Sequence, residues 1–355
     1  MTRSKLSSIM FRMQLAKRIQ TLSPSPTIAI DTKAKALKTS GIPVINLSAG
    51  EPDFDTPEHI KTTAKKTLDA GFTKYSDPQG IIELRKAIAQ KFAKDNAIIY
   101  DPSQIVIGAG GKQLIYSILQ VLCDQGDEVI IPIPTWSTFA EQVKLAGGKP
   151  VLVTLKPPFK LTAKDIAQSI TQKTKIIILN SLAHPTGMMI DLSELKKIAD
   201  LAIEKNLLII SDEIYEKLIY TGKYTSIASF NEQIKEKTIT MNGASKSYAM
   251  TGWRLGFAGG PADIIKAMTT LQSQTIGNVP VFIQKAVITA LTEKQTSVVT
   301  MHKAFAERRN FLIKAFSEIP ELSFTEPEGA FYFFVSVEKL LNKIYPTSTA
   351  WCGAL

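Results

Sequence analysis

Three short stretches of this chain hold residue types that can do chemistry together. The first, Gly108-Ala109-Gly110-Gly111-Lys112, joins the apolar run QIVIG to the helix-like run QLIYSILQVL. A glycine turn that opens a helix presents unpaired backbone N–H groups, which suit an anion such as a phosphate. Its spacing is not that of the Walker loop G-x-x-x-x-G-K-[ST]. The second, Ser211-Asp212-Glu213-Ile214-Tyr215, follows the apolar run LLII. An acid at the end of a buried strand needs a cation or a proton donor to offset its desolvation. The third, Gly243-Ala244-Ser245-Lys246-Ser247-Tyr248, follows TITM and is followed in turn by Arg254. A lysine amine set among small residues and near a second cation gives up its proton more easily and becomes nucleophilic toward carbonyls. Singly, each stretch has a plainer reading: a tight turn, a capping aspartate, a solvated lysine. Together, an anion cradle, an acid and an activated amine are the set that holds pyridoxal phosphate by its phosphate, its pyridine nitrogen and its aldehyde.

All three stretches stand at the ends of strand candidates, where open α/β sheets bind ligands. The candidates are Gln104–Gly108, Glu128–Ile133, Pro150–Leu155, Lys175–Leu179, Leu207–Ile210, Thr238–Met241 and Leu255–Ala258. Several are continuously apolar, as buried parallel strands are, and the amphipathic stretches between them predict helices on both faces of the sheet. One such helix is predicted to be capped by Asp191, with Glu194 three residues on, and to bury Leu192, Leu195, Ile198, Ala199 and Ala202. Pro24 and Pro26 mark an extended entry, and Pro52 and Pro57 bracket a turn in GEPDFDTP. The 355 residues suit two domains. The expected division is an arm and part of a small domain at 1–48, a large cofactor-binding domain at 49–295, and the rest of the small domain at 296–355.

Composition narrows the classes. No run approaches the ~18–20 apolar residues of a spanning helix, which argues against a membrane protein. The 2 cysteines, Cys123 and Cys352, are too few for a disulfide framework. With 3 histidines (His59, His184 and His302), no structural metal site is expected. The net charge is +10, and the cations Arg3, Lys5, Arg12, Lys17 and Arg18, all before the first acid at Asp31, supply half of it. No aromatic-interleaved basic stripe is present, so small anionic ligands are expected rather than nucleic acid. The acid-free residues 1–20 resemble a transit segment; the favoured alternative is an extension upstream of Met13, with the protein in the cytoplasm.

SKSYAMTGWRLGFAGGP, SDEIY, GEPDFDTP, GFTKYSDPQGIIELRKAI and the PTG at 185–187 resemble the class I, fold-type I aminotransferases, over roughly residues 14–335. The likeness is greatest to bacterial aspartate and aspartate/prephenate aminotransferases. It implies a mixed seven-stranded large-domain sheet with helices on both faces, a small α/β domain built from both termini, and a homodimer with its active sites at the interface. It also implies transamination between an L-amino acid, aspartate or glutamate, and a 2-oxo acid, with prephenate as a candidate acceptor. By that resemblance Lys246 would form the internal aldimine and then shuttle the substrate's proton. Asp212 would pair with the pyridine nitrogen, Tyr215 would donate to the ring's phenolic oxygen, and Trp136 of PTWSTF would stack on the ring. Gly111, Lys112 and Arg254 would hold the phosphate, and Tyr75 of TKYSD would reach it from the neighbouring subunit. Gly50, Trp136, His184 and Lys112 would meet the substrate, Lys112 through a distal carboxylate.

Two departures fall on substrate binding. The family pattern N-P-T-G reads His184-Pro185-Thr186-Gly187 here, after an unusual Leu182-Ala183. The asparagine amide donates to the ring oxygen and helps to hold the substrate α-carboxylate, and a histidine can offer one ring N–H instead. His184 therefore reads either as a working replacement or as a degraded position. Family members also carry an arginine near the C-terminus that forks onto the α-carboxylate, whereas the last arginine here is Arg309. Trp351-Cys352-Gly353-Ala354-Leu355 reads as the first turn of a helix that Thr347–Thr349 can cap, and the chain as C-terminally truncated. Losing such a fork costs on the order of 2–5 kcal/mol. The alternatives are thus a protein that binds the cofactor without turnover, or another reaction of the same cofactor such as β-elimination, which needs no second oxo acid.

Overall fold

The structure, a computed structural model, describes residues 15–354 apart from Ser25 and Ala49. Most of the N-terminal stretch read as a transit segment or an extension lies outside the described residues. The main sheet has seven strands: β1 (Ile105–Gly108), β2 (Glu128–Ile133), β3 (Lys149–Thr154), β4 (Thr174–Asn180), β5 (Leu208–Asp212), β6 (Thr238–Gly243) and β7 (Gly256–Gly259). They make one sheet in the order β1-β7-β6-β5-β4-β2-β3. β7 runs antiparallel to both neighbours, and every other pair is parallel, so the sheet is mixed. Every apolar run named from the sequence is a strand.

Successive side chains of a strand point to opposite faces. Accordingly Ile176 and Ile178 of β4 pack into one core, with Leu114, Ile115 and Ile118 of the helix Gly111–Leu122. Ile177 and Leu179 pack into another, with Leu195, Ile198, Ala199 and Ala202 of the helix Leu192–Glu204. A third core joins Ile105 and Ile107 of β1 to Leu84, Ile88 and Phe92 of the helix Ile82–Asn96. Helices therefore cover both faces.

The cap expected at Asp191 is not formed. Asp191 occupies the N-cap position but makes no side-chain cap bond. Its carboxylate accepts instead from Lys160 Nζ at 2.8 Å, while Glu194 accepts from Ala163 N at 2.9 Å. A lysine from another part of the chain outcompetes the local N–H for the charge. Leu192, expected on the buried face, is the helix's first residue and stands half exposed.

After the helix Thr296–Ser317 come two short antiparallel strands, β8 (Ser323–Phe324) and β9 (Val335–Ser336). Between them the chain turns back onto the sheet: Gly329 N donates to Gly187 O at 3.0 Å and Ala330 N to Leu218 O at 2.8 Å. That return carries Tyr332 to the strand ends where the site lies. In the last helix, Ser348–Ala354, the Ala350 N–H donates to Thr347 Oγ1 at 3.1 Å, the cap expected from the sequence. Among the described residues no helix is long and apolar enough to cross a membrane.

Candidate active site

Strand register builds the site. Asn180 and Asp212, the last residues of β4 and β5, are paired neighbours, and Lys246 lies just beyond the end of β6. All three line a cavity of about 440 Å³. Of the residues expected at the site, Gly50, Gly111, Lys112, Trp136 and His184 line it as well, as do Tyr215 and Arg254. Tyr75 does not. It stands 97% exposed to solvent.

Lys246 is largely buried, and its amine donates to Gly50 O. Burial pulls its pKa down to about 8; the nearby Arg254 adds to the depression, while Glu51 and Asp212 oppose it. Asp212 is 4% exposed, and burial pushes its carboxyl up to about 7 against the pull of the Ile214 N–H, at 3.3 Å, and of Lys246. Residues 214–217 form turns rather than a helix, so Asp212 is no helix cap.

The anion cradle is assembled by close backbone approach. Gly110, at φ +84°, is the N-cap of the helix Gly111–Leu122. A Cβ there would come within 2.6 Å of Arg254 Nη2, and a Cβ on Gly256 of β7 within 2.8 Å of Gly111 N. Only glycine lets the helix start, the strand and the guanidinium meet this closely. Arg254 is held by its Nη1 donating to Thr251 O at 2.9 Å. The ammonium of Lys112 lies 5.0 Å from the Trp136 ring centroid, and its pKa is lowered by burial and by Arg254. Two repelling cations beside free helix N–H groups fit a doubly charged phosphate.

At the other end, the hydroxyls of Tyr215 and Tyr332 lie 2.6 Å apart. The His184 ring stands edge-on to Tyr332, with centroids 4.3 Å apart at 88°. Its backbone N–H donates to Asn180 Oδ1 at 2.8 Å, while the buried ring Nδ1 has no partner. Burial, then the charge of Lys246, lowers the His184 pKa to about 4, so the ring is neutral near pH 7 and offers a single N–H. The donor set suits pyridoxal phosphate: a buried acid for its pyridine nitrogen, a buried amine for its aldehyde, phenolic and imidazole groups for its ring oxygen, and a cationic helix start for its phosphate.

Sequence reasoning missed Tyr332, Asn180 and Glu51, and also Asp31 and Lys35, all of which line the cavity. Asn180 carried a usable signal, a polar residue ending an apolar strand just as Asp212 does. Tyr332 carried none, because its place depends on the return of the chain between β8 and β9.

Residues 42–350 match the family described as aminotransferase class I and II. The aspartate aminotransferase of Bacillus sp. (strain YM-2) is 47% identical over 332 residues, which are 93% of this chain and 85% of that protein. The probable aspartate/prephenate aminotransferase of Aquifex aeolicus is 43% identical, over 94% of this chain and 86% of its own. Among solved structures, the aspartate aminotransferase of Thermus thermophilus with maleate superposes with a TM-score of 0.89 at 39% identity, covering 91% of this chain and 85% of that one. The Rhizobium meliloti aspartate aminotransferase gives 0.91 at 36% identity, covering 96% and 88%. By the family match over most of its length, and by relatives well above 30% identity, the chain belongs to the class I and II aminotransferases, which are pyridoxal-phosphate-dependent enzymes.

Proposed function

We propose that this aminotransferase moves an amino group between aspartate or glutamate and a 2-oxo acid, with Lys246 as the residue that holds the cofactor and carries the proton. One observation supports this reading most: a desolvated amine, Lys246, and a desolvated carboxyl, Asp212, share one cavity with a cationic helix start. The relatives named for aspartate and prephenate support the substrate class. Pyridoxal phosphate, when bound, supplies the electron sink that makes the substrate's α-proton removable.

Each residue then has a task. The N–H groups at Gly111 and Lys112, with Arg254, hold the phosphate. Asp212 accepts from the pyridine N–H, which stabilises its own ionised form. Tyr215 and His184 donate at the ring oxygen, and Trp136 covers the ring face. Lys246, with its pKa lowered to about 8, is a nucleophile when neutral and a proton carrier at Nζ once free. Lys112 offers a cation to a distal carboxylate. Tyr75 serves the site of a second copy, so the working form is a homodimer; its proposed location is the cytoplasm. The large domain spans 49–295, and the small one joins part of 1–48, which otherwise forms an arm, to 296–355.

Among the described residues, Arg254 is the one arginine lining the cavity, and it is assigned here to phosphate. That favours a second reading, a protein that takes up cofactor but binds the substrate α-carboxylate too weakly to turn over. Oxaloacetate formation from L-aspartate and 2-oxoglutarate separates the two. Turnover that needs the oxo acid and vanishes in Lys246→Ala supports the first reading. Turnover that survives Lys246→Ala removes the assignment of Lys246, and steady keto acid formation without an acceptor from a cysteine-like substrate, whose Cβ carries a leaving group, indicates β-elimination.

A further inference from the structure

Tyr215 is assigned the task of donating its phenolic proton to an oxygen of the bound cofactor. Its hydroxyl is already paired, 2.6 Å from that of Tyr332. Two phenols in one hydrogen bond hold two protons between them, and the bond uses one. A single oxygen of the pair therefore keeps a proton to give elsewhere. We propose that Tyr332 is the donor within the pair and a positioning residue for Tyr215, occupying a lone pair of the Tyr215 oxygen so that the Tyr215 proton is left for the cofactor. This inference rests on the reading of Tyr215 given above.

The packing holds Tyr332 to that role. Its ring meets Tyr215 edge-on at 5.6 Å and 83°, His184 edge-on at 4.3 Å, and Phe331 at 4.9 Å, so its hydroxyl has little freedom to swing away. On another side lies Gly50, where a Cβ would come within 3.1 Å of the Tyr332 hydroxyl. The ionisable groups facing the pair are Asp212, whose charge acts on both phenols, His184, and Lys246, whose Nζ is 5.9 Å from the Tyr215 ring centroid. Burial raises both phenols above the ordinary tyrosine range, so both keep their protons through any working pH. What remains to be set is the direction of the bond. A hydroxyl that accepts one hydrogen bond also donates a stronger one, by roughly 10–30%.

The test is a pH titration of the visible band of the full chain loaded with pyridoxal phosphate. A donor at the ring oxygen draws electron density from the chromophore and disfavours its protonated form. Tyr215→Phe is therefore expected to raise the midpoint of the band. Tyr332→Phe is expected to raise it by roughly a third as much or less, and to add nothing in the Tyr215→Phe background. Placing 3-fluorotyrosine at position 332 keeps the shape but makes the hydroxyl more acidic, and is expected to lower the midpoint. The proposal is overturned if Tyr332→Phe leaves the midpoint in place while Tyr215→Phe moves it, if the two shifts add, or if fluorination has no effect. A band that survives Lys246→Ala, or a midpoint that ignores Tyr215→Phe, overturns the underlying reading of the site and this inference with it.

Discussion

On the proposed function, a single lysine, Lys246, decides whether the cavity can react. Removing the Lys246 amine from water lowers its pKa to about 8, so a usable fraction is neutral near physiological pH. The protein freed of cofactor is therefore expected to take up pyridoxal phosphate faster as pH rises, with the rate half-maximal near pH 8 and levelling off above it. Stopped-flow absorbance across pH 6–10 measures this; a rate still climbing to pH 10 would mean that the amine is not desolvated in solution. The sequence made Lys246 and Asp212 legible because each follows an apolar run that had to be a strand, and Arg254 because it stands just before one. It could not decide the state of His184. The structure gives that ring a neutral form and an edge-on contact with Tyr332, both of which depend on packing between distant segments.

The turn that links Asp212 to Tyr215 is anchored from behind by buried polar groups. Asn96, at the end of the helix Ile82–Asn96, donates to Glu213 Oε2 at 2.9 Å and to Glu216 Oε2 at 2.6 Å, while Lys91 of that helix pairs with Glu216. Ser211 and Ser226 donate to Glu213 Oε1 at 2.9 and 2.6 Å. Burial, then the charge of Glu216, pushes Glu213 up to about 7. Between its ordinary range near 4.5 and about 7, the unfolded chain releases this proton while the folded one keeps it. Stability should therefore fall as pH rises through that window and level off above it, and in the cofactor-free protein Asp212 contributes with the same sign. Urea unfolding at pH 5 and pH 8 is expected to show this loss, reduced in Glu213→Gln; an unchanged slope in that variant would exclude Glu213 as a source. Lys91→Met should cost about 3–5 kcal/mol, since it leaves buried carboxylates without their cation. At this scale the strands were legible from their apolar runs alone. The pairing of Asp191 with Lys160, which replaces its cap, and the Asn96 anchor were not, because each depends on a partner that only the fold brings near.

For the molecule as a whole, Tyr75 is a residue that a single chain leaves unexplained, an aromatic residue 97% exposed and outside the cavity. A dimer that shares its sites gives it a task. Chains carrying Tyr75→Ala and chains carrying Lys246→Ala, unfolded and refolded together, should form hybrids with one intact site each. At limiting cofactor the mixture should then exceed the activity of either parent. A mixture no better than the mean of its parents would place Tyr75 outside its neighbour's site. The central claim, that one cavity both holds the cofactor through Lys246 and passes an amino group, is tested most directly by one absorption experiment. The full chain is loaded with pyridoxal phosphate, and its spectrum is recorded before and after L-aspartate and again after 2-oxoglutarate. The expected result is a visible band, absent in Lys246→Ala, that aspartate discharges and 2-oxoglutarate restores. A Lys246-dependent band that aspartate leaves untouched would contradict the claim and leave a protein that binds the cofactor without using it.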